Sequence, residues 1–498
     1  MFEAAELGRT VSKEDYKTQI AELRAQLLAV QQQLRDSNVP VIVIIAGVDA
    51  AGKGEVVNRL NEWLDTRGIE THAYWDSTDE EKERPPYWRY WRNLPARGII
   101  GIHFGAWYSH AIDMRFDEIW DEGRLDAELS RIKDLEQMLT ADDALILKFW
   151  FHLPRDVQKK RLAALEKDPR SRWHAAPQLS RKPKHYKQFL AVSERVIRET
   201  DSGHAPWFMI EATDRRYRDL TVGRTVLEAI RARLQHVEQH GGNGLSSHAP
   251  SLPQTPTAQV TVLDHVKLAG LDERGDYKER MQTYQGRLNE LVWETYTQKR
   301  SCVMVFEGWD AAGKGGAIRR ITNSIDARLY RVFPVAAPTD EERAHHYLWR
   351  FWRHLPRAGR LTIYDRSWYG RVLVERVEGF AAEHHWRRAY HEINEFEQQL
   401  AEHGIVLLKF WLHISKEEQL RRFRERERVA YKQHKITDED WRNRERWGDY
   451  KAAVNEMVIR TSTEYAPWYL IPGEDKRVGR LEVIKTVCER LEAALKSS

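Results

Sequence analysis

The stretch Gly308-Trp-Asp-Ala-Ala-Gly313-Lys314-Gly315 follows a short apolar run, Val303–Phe306, and fits the spacing G-x-x-x-x-G-K. Glycines let successive backbone N–H groups curl around phosphate oxygens. The N-terminus of a following helix adds partial positive charge, and the lysine neutralises one more oxygen. The competing reading is a glycine turn between strand and helix that binds nothing. The residue after the lysine is usually Ser or Thr, whose hydroxyl reaches Mg²⁺. Here it is Gly315. Asp310 lies inside the loop, where a carboxylate beside phosphates is repulsive unless a cation stands between them. Asp310 is therefore the expected substitute ligand for Mg²⁺.

A second acid ends another apolar run, Leu361-Thr-Ile-Tyr-Asp365-Arg366. In a doubly wound α/β sheet the C-terminal ends of parallel strands face the ligand crevice. Asp365 is placed there as a second metal ligand, and Arg366 as a clamp on a transferring phosphoryl group. A surface Asp–Arg pair at a strand end is the bland alternative, weakened by the loop beside it.

These residues sit in one copy of an internal duplication. AGVDAAGKG around Lys53 repeats as EGWDAAGKG around Lys314, 261 positions on. The same offset pairs Trp88 and Trp91 with Trp349 and Trp352, Lys148 with Lys409, and Ala205-Pro206-Trp207 with Ala466-Pro467-Trp468. From Asp15 to Asp214 the register needs no net insertion or deletion. The expected organisation is a first domain over residues 1–239, a Gly/Ser/Pro-rich linker over 240–261, and a second domain over 262–498. The copies differ at the chemistry: Asp365, Arg366, Arg371 and Glu375 become Phe104, Gly105, His110 and Met114. Phosphoryl transfer is expected in the second half, with the first a degenerate copy.

The elements that must position these residues alternate. Val41–Ala46, Leu145–Phe149, Val303–Phe306, Leu361–Tyr364 and Val406–Phe410 read as buried parallel strands. Helices lie between them, among them Glu392–Glu402 and Ile484–Leu495. The pattern predicts an α/β class with a doubly wound sheet, used twice. Arginines recur on helical spacing from Arg421 to Arg446. A solvated helix laced with ion pairs is one reading. A lid bringing arginines onto phosphates is the other. The tryptophans retained in both halves read as core.

Composition excludes several classes. Lys plus Arg is 79 against 75 acids, a net charge of +4, too small for a protein that coats nucleic acid. Two cysteines, Cys302 and Cys488, cannot build a disulfide framework or a four-thiolate zinc site, and suit a reducing compartment. No apolar run approaches the ~20 residues of a membrane span, and the N-terminus lacks the apolar segment of a secretory signal. A cytoplasmic location, without membrane or nucleic-acid partners, is expected.

Taken together, GWDAAGKG (308–315), YDRSWY (364–369), Arg371-x-x-x-Glu375, KQHKITDEDWRNRERW (432–447) and Ala466-Pro467-Trp468 resemble the polyphosphate kinase 2 family across both halves. The fused two-half form is similar to that family's polyphosphate:AMP phosphotransferase class. The resemblance implies two tandem three-layer α/β/α P-loop kinase-like domains close to thymidylate kinases. It implies Mg²⁺-dependent transfer of a terminal phosphoryl group from inorganic polyphosphate to AMP, giving ADP. It assigns metal binding and catalysis to Asp310 and Asp365, and phosphate contacts to Lys314 and Arg366. Gly308, Gly313, Gly315, Arg371 and Glu375 would line the phosphate and nucleotide site. Arg421, Arg422, Lys432, Lys435 and Arg442 would hold polyphosphate, and a homodimer is allowed for. Phosphorylation of ADP or GDP, an ATP-dependent nucleotide kinase on this fold, and a non-catalytic nucleotide-binding scaffold remain open alternatives.

Overall fold

The computed structural model describes residues 1–167, 185–240, 261–268, 277–429 and 436–496. The chain forms two compact units. One comprises Met1–Ser77, Arg89–Ser247 and Asp340–His346; the other comprises Thr78–Trp88, His248–Thr339 and Tyr347–Ser498. Each unit is thus one half of the sequence, apart from two short stretches at matching positions that belong to the unit of the other half. Residues 241–260 of the expected linker lie outside the described residues.

In the first unit five strands, β1 (Val41–Gly47), β2 (Ile69–Ala73), β3 (Ile100–Phe104), β4 (Leu145–His152) and β5 (Trp207–Glu211), form a sheet of order β2-β3-β1-β4-β5. In the second, β6 (Cys302–Gly308), β7 (Tyr330–Pro334), β8 (Leu361–Asp365), β9 (Val406–His413) and β10 (Trp468–Pro472) take the equivalent order β7-β8-β6-β9-β10. Every pairing is parallel, and the register repeats: Val41 faces Ile100 in one sheet and Cys302 faces Leu361 in the other. The strands expected from sequence are present, extended by a few residues at their ends. The expected helices are parts of longer ones, Glu383–Glu402 and Lys476–Lys496.

Burial explains the apolar runs. Cys302, Val303, Met304, Val305 and Phe306 are each 0% exposed, because helices cover both faces of the sheet. Burying a large apolar side chain contributes about 1.5–3 kcal/mol, so a central strand of this kind anchors its unit. In the second unit, helices Tyr277–Thr297, Lys314–Thr322 and Lys476–Lys496 pack together, as do Glu383–Glu402 and Trp447–Thr461. Trp88, Trp91, Trp349 and Trp352 are all buried, as the core reading expects. Among the described residues no helix is long and apolar enough to cross a membrane. Both cysteines are free and buried, and burial pushes the Cys488 thiol up to about 12.

One polar constellation is built into both cores. Lys409, fully buried, donates to Glu397 at 2.7 Å, to the Tyr369 hydroxyl at 2.9 Å and to the Thr461 carbonyl at 2.6 Å. Tyr369 and the Trp368 indole also donate to Glu397, at 2.7 and 3.0 Å. The first unit repeats it with Lys148, Glu136, Tyr108, Trp107 and Thr200, its Lys–Glu pair again at 2.7 Å. Burial raises the carboxyl and lowers the amine in each pair, against the pull of their mutual attraction. In the second unit this cluster anchors Trp368 and Tyr369, two and three residues after Arg366.

Candidate active site

The loop after β6 is shaped by two glycines. A side chain at Gly308 would meet the Leu412 carbonyl of β9 at 2.6 Å, and Gly313 caps the helix Lys314–Thr322 with φ +114°. Both conditions exclude a Cβ. Lys314 folds back over the loop and donates to the Gly308 and Trp309 carbonyls at 2.6 and 3.3 Å. Asp310 points to the same space, accepting from Arg366 at 3.3 Å and from the Asn443 amide at 3.0 Å. Asp365 ends β8 opposite Phe306 of the loop strand, the strand-end position expected of it. Arg366 stands at φ +65°, a left-handed backbone that costs a side chain energy. Its counterpart Gly105 takes φ +90° freely.

A buried acid that the sequence reading passed over lies among these groups. Glu307 is 6% exposed, accepts from the Ser367 hydroxyl at 2.8 Å, and has Lys314 and Arg366 as charged neighbours. Burial raises its carboxyl, Lys314 and Arg366 lower it, and Asp365 raises it further. Its counterpart Ala46 marks the position as one that diverged with the chemistry, a signal the duplication offered.

The lid region is placed in part. The helix Asp438–Glu445 starts at a capping box, with Thr437 donating to Asp440 at 3.1 Å. It lies over the loop: Asn443 reaches Asp310, and Arg444 donates to the Lys416 carbonyl at 2.6 Å. Trp447, which follows, stacks on the loop's Trp309 with centroids 3.7 Å apart. Beneath is a cavity of about 70 Å³ lined by Glu307, Asp310, Lys314, Arg366, Glu439 and Asn443 among others. That is smaller than the several hundred Å³ of a typical nucleotide pocket.

The remaining expected site residues divide. Arg371 pairs with Glu375 at 3.0 Å and lies over the Tyr347 ring. Gly315 is exposed at the start of the loop helix. Arg421 is exposed and forks onto Glu418; Arg442 is exposed and pairs with Glu378 at 3.0 Å. Arg422, expected on the polyphosphate track, is not on it. Its guanidinium is buried and donates to the carbonyls of Ala311, Ala312, Gly473 and Glu474 at 2.6–3.0 Å. It holds the loop from below, as Arg161 does in the first unit through Ala50, Ala212 and Thr213. Adjacent arginines on a helix point about 100° apart, so Arg421 meets water and Arg422 the loop. Lys432 and Lys435 lie outside the described residues.

The first unit's loop has Lys53 over the Phe104 ring and 3.9 Å from Asp49. It offers neither the strand-end acid nor the arginine. For a metal, the second unit's donors are hard carboxylate oxygens. Among the described residues no three His, Cys, Asp or Glu side chains form a ready-made cage. Mg²⁺ does not need one. It is bound through one or two carboxylates together with substrate phosphates and water, and Asp310 and Asp365 fit that pattern.

The family model for polyphosphate kinase 2 matches residues 10–238 and 271–498. The chain is 48% identical over 497 residues to the polyphosphate:AMP phosphotransferase of Pseudomonas aeruginosa, covering 100% of this chain and 99% of that protein. It is 47% identical over 499 residues to the same-named protein of Pseudomonas syringae pv. tomato, covering 99% of each. A crystal structure titled as a polyphosphate kinase 2 from Pseudomonas aeruginosa superimposes with a TM-score of 0.87 at 45% identity over the whole of both chains. Matched in both halves and along its full length, the chain belongs to the polyphosphate kinase 2 family.

Proposed function

We propose that the second unit transfers the terminal phosphoryl group of inorganic polyphosphate to AMP, giving ADP. The observation that carries this reading is the convergence of Lys314, Asp310 and Arg366 under one lid helix, with Asp365 on the neighbouring strand end. The full-length relatives named for this reaction support it.

An oxygen of the AMP phosphate attacks the terminal phosphorus. The bond from that phosphorus to the bridging oxygen breaks, and the electron pair stays with the chain, shortened by one phosphate. The attacking oxygen is already ionised near neutral pH, so positioning and charge neutralisation do the work rather than a general base. Lys314 and Arg366 neutralise charge on the transferring group. Mg²⁺, held by Asp310 and Asp365, would supply Lewis-acid neutralisation of phosphate oxygens. The lid helix excludes water, which would otherwise compete with AMP for the phosphoryl group. In the first unit Phe104 cannot ligate a cation and Gly105 cannot clamp phosphate, so transfer is assigned to the second unit alone.

The test is purified protein with Mg²⁺, long-chain polyphosphate and, separately, AMP, GMP, ADP and GDP, with products resolved by chromatography. ADP formation from AMP at the highest rate is expected. A preference for ADP or GDP, or activity only when ATP replaces polyphosphate, would overturn the assignment.

A further inference from the structure

Beside the phosphate loop the two units carry different charge patterns at matching positions. In the second unit the loop helix begins Lys314-Gly315-Gly316 and continues to Arg319 and Arg320. Arg319 stands four and three residues beyond Gly315 and Gly316, and Arg320 four beyond Gly316, so the two arginines, about 100° apart around the helix, flank the line of the glycines. Arg480, from the helix Lys476–Lys496, reaches over the first turn. A side chain at Gly316 would meet its guanidinium at 3.2 Å. Among the described residues the side chains of Arg319, Arg320 and Arg480 have no hydrogen-bond or ion-pair partner. Their counterparts in the first unit are Asn58, Arg59 and Asp219, and Glu55 replaces Gly316. There two arginines have carboxylate partners: Arg59 pairs with Glu62 at 2.7 Å, and Arg218, in the place of Gly479, pairs with Glu55 at 2.9 Å and Asp219 at 2.7 Å.

Among the described residues these three arginines have no counter-charge, and like charges gathered on one part of a surface repel one another. Two successive glycines leave the helix backbone bare between them and the loop lysine. The same face in the first unit pairs its arginines with Glu55, Glu62 and Asp219, so it offers a phosphate chain less unopposed positive charge. We infer that Arg319, Arg320 and Arg480 form a track that holds the part of the polyphosphate chain lying beyond the phosphate loop, on the loop-helix side of the site and away from the lid. The inference rests on the proposed function and adds to it a determinant of donor chain length. A phosphate chain held only at Lys314 and Arg366 would end at the loop. A longer chain would gain one charge-assisted contact per arginine.

The experiment compares Arg480→Gln and the triple variant Arg319→Gln/Arg320→Gln/Arg480→Gln with the full-length wild type. It measures KM for tripolyphosphate, KM for long-chain polyphosphate and KM for AMP, with thermal melts as a fold control. A fluorescently labelled long chain gives direct binding without nucleotide. For the long chain, KM and Kd should rise roughly tenfold in the single variant and on the order of a hundredfold in the triple. KM for tripolyphosphate and for AMP should stay within about twofold, a split that general damage to the fold would not produce. The salt dependence of long-chain binding should become shallower with each arginine removed. Equal changes for short and long chains, or none for either, would overturn the track while leaving the proposed reaction standing. Wild type that neither binds nor consumes polyphosphate would instead sink the function on which the track rests.

Discussion

The twin buried clusters allow one perturbation to be made twice in one molecule. Glu397→Gln and Glu136→Gln each remove a carboxylate that is at most 1% exposed, and each leaves a buried lysine facing a neutral amide. Breaking a buried ion pair from one side costs about 3–5 kcal/mol, because the remaining charge loses its partner without regaining water. In a domain of this size 1 kcal/mol corresponds to about 2–4 °C, so each variant should lower the melting transition of its own unit by about 10 °C. The distances are nearly the same in the two clusters, so the two losses should be nearly equal. Activity should not follow stability. Glu397 fixes Trp368 and Tyr369, two and three residues after Arg366, whereas Glu136 fixes Trp107 and Tyr108 behind Phe104 and Gly105. Calorimetry gives the transitions, and initial rates of ADP formation well below both of them give the activity. Glu397→Gln should lose at least tenfold in rate and Glu136→Gln less than twofold. Equal loss of rate in two folded variants would refute the division of labour. Full rate in Glu397→Gln would refute the idea that this cluster positions the clamp.

Three further outcomes follow from the same geometry. Lys314→Ala should abolish transfer while Lys53→Ala keeps most of it, since a loop lysine neutralises developing charge only where a group is transferred; side-by-side initial rates decide. Asp365→Asn should lose several kcal/mol of transition-state stabilisation, a hundredfold or more in rate, with an unchanged melting curve. Burial holds His413 down to about 4 from its usual 6.5, and its ring accepts the Trp309 indole N–H at 3.0 Å. The unfolded chain therefore binds a proton that the folded one refuses, so this contribution is complete above pH 6.5 and is lost as pH falls towards about 4. Melting temperature against pH should slope less over that window in His413→Asn than in wild type.

What was legible in the sequence was local. The loop declares itself because glycine spacing, a preceding β-branched run and a following helix are all contained in about 20 residues. The sheet follows from short apolar runs, and the parallel class from their continuity. What was not legible depends on pairs distant along the chain. Glu307 meets Ser367 60 residues away, and Asn443 meets Asp310 133 residues away. Arg422 reads like its exposed neighbour Arg421 until packing shows which side of the helix is buried. The duplication held the missing information. Arg422 is kept as Arg161, the mark of a structural part, whereas Glu307 becomes Ala46, the mark of a part lost with the chemistry.

The same comparison isolates the cost of function at Arg366. A non-glycine residue at φ +65° costs roughly 1–2 kcal/mol, and its counterpart, Gly105, avoids that cost. Replacing Arg366 by glycine relieves the strain, gives back about 0.4–1 kcal/mol through the greater freedom of the unfolded chain, and removes an ion pair to Asp310. That arginine is nearly half exposed, so the pair is worth no more than about 1 kcal/mol. These contributions nearly cancel, and Arg366→Gly should melt within a few degrees of wild type. Arg366→Ala loses the same pair but keeps the strain, so it should melt lower than the glycine variant. Both should be inactive, because neither can clamp a phosphoryl group. The order of melting temperatures, glycine above alanine, is the critical reading. The reverse order would mean that the backbone at this position is not strained, and that Gly105 in the first unit reflects no relief of a cost.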